Sequence, residues 1–181
     1  MRALLLILLL ALLPTRVPAQ ELLNEDPIIA AAKAGDVARL RTVLVKGVNV
    51  NRRDKEGRTP LALASINANP EIIGMLLSER PMLDLADKQG NTALHHAAIR
   101  NDAGIVAALI EAGADINAVN GGGETPLIRA AAFGGVEAVR VLIEAGADLE
   151  ATDYTGRTAL DRARNDHRRQ SVQALETAGA R

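Results

Sequence analysis

The sequence predicts an all-α solenoid of about five stacked helix–turn–helix units. A turn motif starts at residues 54, 87, 120 and 153, so each step is 33 residues. Two short apolar stretches with helical spacing follow the starts at 54, 87 and 120, whereas the last unit turns polar. The apolar residues are almost all aliphatic, with one Phe, one Tyr and no Trp. Such small side chains favour closely spaced helices over a thick β-sandwich.

The first element of each unit is a tight turn that leads into a helix. In Asp54-Lys55-Glu56-Gly57 the Asp can hydrogen-bond its own backbone, and the Gly supplies a positive φ. Thr59 then caps the helix, and Pro60 occupies the first turn, where a missing N–H costs nothing. The four copies of this segment are residues 54–61, 87–94, 120–127 and 153–160.

A polar break and a second helix complete each unit. Asp36, Asn69 and Asp102 stand where the second helix begins and can cap it. This helix is apolar at core spacing, and Gly113 and Gly146 are placed to end it in left-handed geometry.

The 33-residue period with its Thr-Pro-Leu core resembles that of the ankyrin-repeat family. The resemblance covers nearly all of residues 20–181 and implies repeats of about 21–53, 54–86, 87–119, 120–152 and 153–181. It also implies β-turn or hairpin loops between the helices and atypical capping repeats at both ends. Terminal repeats must face water on one side, which explains the polar last unit.

The second unit departs from this pattern after its second helix. Residues 80–84 are Arg-Pro-Met-Leu-Asp, where later units have Gly-Ala-Asp at 113–115 and 146–148. Because left-handed geometry costs a non-glycine residue about 1 kcal/mol, we expect Pro81 to end the helix in another way. Sequence drift and a partner contact on the back of the stack both remain open as reasons for the departure.

The N-terminus has the parts of a secretory signal peptide. A basic start at Met1-Arg2 precedes an apolar run over residues 3–13, which Pro14 ends, and Val17-Pro18-Ala19 offers a cleavage site after Ala19. The run is shorter than the ~20 residues of a spanning helix, so we expect no stable membrane insertion after cleavage. An uncleaved anchor is the alternative. We expect a periplasmic or secreted protein, and the lack of Cys favours a bacterial periplasm.

Composition and motifs argue against catalysis and against nucleic-acid binding. The formal net charge is −1, whereas a nucleic-acid binder needs a basic surplus. The absence of Cys excludes thiolate chemistry. No Ser lies in a Gly-x-Ser-x-Gly motif, and Gly121-Gly122-Gly123 lacks the Lys of a phosphate-binding loop. We therefore expect no catalytic residues and no cofactor.

The histidines do not predict a metal site. His95 and His96 are adjacent, so on one helix they point about 100° apart and cannot easily share an ion. His95 matches the His of the ankyrin Thr-Pro-Leu-His motif. The resemblance implies that it forms hydrogen bonds between its turn and the adjacent repeat.

The resemblance also implies a binding surface. Ankyrin proteins generally bind through the turn tips and the exposed side of each first helix, which line a concave groove. Arg and aromatic residues are frequent binding anchors, and this surface holds both aromatics of the chain. Phe133 packed on its own helix end and Tyr154 packed on its turn are equally compatible with the sequence. The candidate binding residues are Arg58, Ile66, His96, Ile99, Arg100, Arg129, Phe133, Tyr154 and Arg157.

Two features of this surface carry further expectations. Ile66, Ile99 and Phe133 lie 33 and then 34 residues apart in successive repeats, which predicts a shallow apolar stripe. The last unit could bind anions, but we expect a solvated cap whose basic and acidic side chains alternate. The residues of this cap are Asp161, Arg162, Arg164, Asp166, Arg168 and Arg169.

Together these patterns predict an exported, monomeric, non-catalytic module that binds another protein. An inhibitor or immunity-type protein that masks an enzyme is the alternative. An enzyme is a remote alternative, which would require a deep pocket with converging polar groups.

Overall fold

The computed structural model describes residues 25–133 and 135–181, and over these ranges it holds ten helices and no strand. The helices form five consecutive pairs, and each helix packs on its counterpart in the next pair. This arrangement confirms the predicted all-α stack of five units, whereas the predicted signal peptide lies outside the described residues. The helices are α1 (Pro27–Ala34), α2 (Val37–Val45), α3 (Pro60–Ile66), α4 (Pro70–Ser78), α5 (Ala93–Arg100), α6 (Ala103–Glu111), α7 (Pro126–Phe133), α8 (Val136–Glu144), α9 (Ala159–Asn165) and α10 (Arg169–Thr177).

The first helices begin as the turn chemistry predicts. In the second unit, Asp54 N donates to Arg58 O at 3.0 Å, and Gly57 has a φ of 79°. Thr59 Oγ1 then accepts from Ala62 N at 3.1 Å. Pro60 occupies the first turn of α3, where no N–H is needed. The turn therefore ends in a capped helix, as expected.

The second helices are capped by the residues that the sequence singles out. The Oδ1 atoms of Asp36, Asn69 and Asp102 accept from backbone N–H groups three residues later at 2.9, 3.1 and 3.0 Å. The residue before each of these caps is left-handed, as Asn101 is with a φ of 57°. Asn tolerates this geometry, so the position does not require Gly.

The core is a continuous aliphatic layer that runs through all five units. Alanines at equivalent positions of the first helices, such as Ala31, Ala64, Ala97 and Ala130, are fully buried and let neighbouring first helices approach closely. Leucines and isoleucines of both helices fill the space between the layers. Each unit buries its apolar face against its neighbours, so the free energy of folding is shared along the stack.

The departure at residues 80–84 changes the residues but not the backbone geometry. Arg80 is left-handed, with a φ of 51°, so the expectation that Pro81 ends the helix differently is wrong. A hydrogen bond between repeats favours this geometry: Met82 N donates to Asn51 Oδ1 at 2.9 Å. The equivalent bond in the next unit joins Asp115 N to Asp84 Oδ1 at 3.0 Å. Met82 itself is exposed.

The last unit covers the end of the stack with an ion pair. Arg164 and Glu176 stand where the preceding unit has the apolar residues Ala131 and Ile143. The Arg164 Nη2 and Glu176 Oε1 atoms are 2.7 Å apart and about half exposed. This exchange of apolar for charged side chains fits a terminal repeat that faces water.

Candidate functional site

The turn tips form one continuous edge along the stack. Backbone hydrogen bonds join each tip to the next: Lys88 N donates to Glu56 O at 2.9 Å, and Gly121 N donates to Gln89 O at 2.8 Å. Tyr154 N donates to Gly122 O at 3.0 Å. The predicted contact residues at the tips therefore stand on a rigid support.

Arginines at two tips are held by carboxylates of their own turns. Arg58 Nη2 lies 2.7 Å from Asp54 Oδ2, and Arg157 Nε lies 3.3 Å from Asp153 Oδ2. Burial raises the pKa of Asp153, but hydrogen bonds from Thr155 and Arg157 outweigh it and bring this pKa down to about 2. The carboxylate is therefore ionised at neutral pH and orients Arg157.

His95 has the structural role that the resemblance implies. Its ring is fully buried, and Nε2 lies 2.9 Å from Glu124 O of the next repeat. A carbonyl oxygen only accepts, so Nε2 carries the proton and Nδ1 is free to accept. Thr92 N donates to Nδ1 at 3.2 Å. His95 thus links its own turn to the following repeat.

His96 is a candidate contact residue that the structure largely covers. Its side chain is 14% exposed, and its Nε2 lies 2.9 Å from Asp87 Oδ2. Burial lowers the pKa of His96, and the nearby guanidinium groups of Arg58 and Arg129 lower it further, whereas Asp87 raises it. The net shift is downward, so the ring is neutral near pH 7. Burial likewise lowers the pKa of His95.

The lowered pKa values of His95 and His96 predict that the protein loses stability in mild acid. Both pKa values lie below the ordinary value of 6.5, so below that pH the unfolded chain binds more protons than the folded chain. We expect the free energy of unfolding to be constant from about pH 8 to about pH 7 and to fall towards pH 5. The slope is at most about 1.4 kcal/mol per pH unit for each ring. Urea titrations at several pH values measure it, and a flat profile down to about pH 5 would contradict it.

A charged network joins the last two repeats. Glu124 Oε2 lies 3.0 Å from Arg129 Nη1, and Glu124 Oε1 lies 3.4 Å from Arg162 Nη2. Arg162 Nη1 also lies 3.7 Å from Asp153 Oδ2. With 20% of its side chain exposed, Arg162 is not part of a solvated cap, and that expectation is wrong for this residue. The expectation fails because Glu124 and Asp153, carboxylates from two different repeats, both contact the Arg162 guanidinium.

Arg129 and Phe133 are brought together on the exposed side of α7. The Arg129 Cζ atom lies 4.7 Å from the centroid of the Phe133 ring, which is within cation–π range. Phe133 is 49% exposed. Ile66 and Ile99, the other two residues of the predicted stripe, are partly buried. Phe133 is therefore the most exposed of the three apolar side chains in the predicted stripe.

Tyr154 is both packed and exposed. Its ring lies so close to Gly123 that a Cβ on that glycine would overlap it. The residue is nevertheless 76% exposed. Tyr154 therefore stands on the tip of the preceding repeat and presents most of its surface to solvent.

Arg162 and Arg168 are two residues of this region that sequence reasoning does not place among the contact residues. Arg162 follows Arg129 by one 33-residue period, so the repeat itself is a usable signal. Arg168 Nε donates to Ala132 O at 3.3 Å and so lies beside Phe133. In sequence, Arg168 stands at the helix start where other units have the capping residues Asn69 and Asp102. Because Arg cannot accept a capping hydrogen bond, this exchange is the sequence feature that could have singled out Arg168.

The described part of the chain offers no group of three or more acidic, His or Cys side chains that could hold a metal ion. None of the helices between residues 25 and 181 that the structure describes is long and apolar enough to span a membrane.

Comparison with protein families identifies the same repeat. A family model described as "Ankyrin repeats (3 copies)" matches residues 8–82 and 28–120. A second, described as "Ankyrin repeats (many copies)", matches residues 109–163. Together they cover more than half of the sequence. No curated protein matches this chain.

Proposed function

Because this chain belongs to the ankyrin-repeat family, we propose that it is an exported, non-catalytic protein that binds a partner protein through its concave face. Ankyrin repeats generally mediate protein–protein interactions. The observation that carries the proposal is the exposure of both aromatic residues, Phe133 and Tyr154, on this face. Aromatic side chains on a rigid support are favourable anchors, because little conformational freedom is lost when they are covered.

The interactions of the other polar groups support binding over catalysis. His95 ties two repeats together, and His96 pairs with Asp87. Glu124 and Asp153 are held by arginines. A catalytic acid or base needs access to a substrate proton, whereas these groups are engaged in contacts within the stack.

The export part of the proposal rests on residues 1–19, whose sequence has the charge, apolar run and cleavage site of a signal peptide. The mass of the protein recovered from its host tests it. We expect a chain that begins at Gln20. A chain that retains Met1 would favour the uncleaved anchor.

Capture of a partner tests the binding surface. We expect a column of the wild-type protein to retain a host protein that a Phe133→Ala, Tyr154→Ala column does not retain. Removing two exposed aromatics from an interface typically weakens binding at least about tenfold. The matched control is Val45→Ala with Met82→Ala, which removes exposed apolar side chains outside the concave face. Equal retention on all three columns would contradict this choice of surface.

The retained protein also decides between the two binding roles. If it is an enzyme whose activity falls in proportion to the protein added, the chain is an inhibitor or immunity-type protein. If its activity is unchanged, the chain is a scaffold or docking module. A catalytic activity of the chain itself, abolished by changes on the concave face, would overturn the proposal.

A further inference from the structure

We propose that the concave face over the last three repeats recognises an acidic segment of the partner protein, with an apolar side chain of that segment against Phe133. This inference rests on the proposed function and specifies the chemistry of the partner. It is carried by the distribution of paired and unpaired charges around the exposed aromatic residue.

The carboxylates of this face are already paired within the protein. Asp87 lies against His96 at 2.9 Å. Glu124 contacts Arg129 and Arg162, as described above. Asp153 contacts Arg157 and Arg162. These acidic groups are therefore poorly available to a basic partner, because arginines hold Glu124 and Asp153, and Asp87 is buried with its oxygens hydrogen-bonded.

Several cations of the same face are not paired in this way. Among the described residues, Lys88, Arg100 and Arg168 form no ion pair, and all three are exposed. The carboxylates close to them are Asp87, which contacts His96, Asp102, which caps α6, and the exposed Asp166. Glu56, whose carbonyl accepts from Lys88 N, is also exposed and is absent from the ion pairs of the described residues. The unpaired charge of this region is therefore mainly positive, although the whole chain carries a net charge of −1.

Two of these cations, Arg100 and Arg168, belong to the repeats on either side of Phe133. Arg100 occupies the position of Phe133 one repeat earlier, and Arg168 reaches the carbonyl of the adjacent Ala132. Arg129 stacks on the ring itself. An apolar side chain seated on Phe133 would bring its neighbouring carboxylates towards Arg100 and Arg168. An extended acidic segment with one central apolar residue is complementary to this arrangement.

A nucleic acid would also offer negative charge, but the observations favour a protein segment. Nucleic-acid binding depends on many phosphate contacts and a large basic surplus, which this chain lacks. A few exposed cations around one aromatic ring match a ligand with few charges and an apolar anchor.

Peptide binding tests the inference directly. The probe is a short fluorescein-labelled peptide of Glu residues with one central Leu, titrated with the full protein and followed by fluorescence anisotropy. Matched peptides replace Glu by Gln, or Leu by Ser. We expect each replacement to weaken binding about fivefold or more. Added salt is expected to weaken binding of the peptides that contain Glu but not of the peptide in which Gln replaces Glu. Equal binding of the Glu and Gln peptides would overturn the inference.

Two protein variants locate the site. Arg100→Glu is expected to weaken the Glu–Leu peptide about fivefold or more, and Phe133→Ala about tenfold. The control Arg140→Glu makes the same change of charge on the exposed side of α8 and is expected to have little effect. Equal losses for Arg100→Glu and Arg140→Glu would show a general charge effect and overturn the inference. An unlabelled single-stranded DNA that displaces the peptide more effectively than the unlabelled peptide would do so as well.

Competition against the captured partner separates this inference from the proposed function. Displacement of that protein by the Glu–Leu peptide supports both. A partner that binds through Phe133 and Tyr154 but resists the peptide leaves the proposed function standing and refutes the acidic segment. If the protein binds neither partner nor peptide, both proposals fail.

Discussion

Replacing Gly90 with alanine is expected to lower the free energy of unfolding by about 3 kcal/mol. Gly90 has a φ of 81°, which costs a residue with a Cβ about 1 kcal/mol. The added Cβ would also lie 2.9 Å from Asn120 C and 3.0 Å from Asn120 Cα, and closer still to Gly121 N. These are backbone atoms, so no side-chain rotation relieves the overlap. Urea unfolding followed by circular dichroism measures the loss.

The matched control for this substitution is Gly156→Ala. Gly156 occupies the equivalent turn position in the last repeat and has a φ of 77°, but a Cβ there would meet no atom within 4 Å. We expect only the conformational cost of about 1 kcal/mol. The difference between the two variants isolates the close approach of neighbouring tips. If both variants lose the same stability, the tips are not in tight contact.

The elements that the sequence predicts well are those with local causes. The turn at Asp54, the cap at Thr59 and the first-turn Pro60 depend on residues that are neighbours in the chain. The 33-residue period repeats this chemistry, so one correctly interpreted unit predicts the stack. The same local chemistry identifies Asn69 and Asp102 as helix caps from their residue types and positions, and both form the expected hydrogen bonds.

Contacts between repeats are harder to predict, because their energies depend on neighbours in space. Arg80 adopts the left-handed geometry that its residue type disfavours, and the hydrogen bond from Met82 to Asn51 accompanies it. Arg162 is likewise covered by carboxylates that are nine and thirty-eight positions away in sequence, Asp153 and Glu124. No local pattern reports on such pairs.

In the candidate binding surface, too, the sequence predicts the position of residues in the repeat but not the contacts between repeats. Exposure of Phe133 and Tyr154 fits the repeat frame, which places both on one side of the stack. The frame does not show that His96 is held by Asp87, or that Arg168 reaches the end of α7 beside Phe133. Charged side chains are long, so their partners are decided by geometry over several ångströms. Sequence reasoning therefore defines the face better than it defines which charges on it are free.

Replacing His95 with alanine is expected to cost about 3–4 kcal/mol of unfolding free energy. The ring is fully buried, so its loss leaves a cavity, and Glu124 O and Thr92 N each lose a hydrogen bond.

The control for His95→Ala is His96→Ala. The His96 side chain is partly exposed, and Asp87 keeps its hydrogen bonds from the backbone N–H groups of Gln89 and Asn91 at 2.9 Å. We expect a loss of about 1 kcal/mol, measured by the same urea titration. Equal losses at the two positions would mean that burial of one imidazole, and not the link between the third and fourth repeats, determines the cost. A much larger loss at His95 would show that stability in this stack depends on contacts that cross from one repeat to the next.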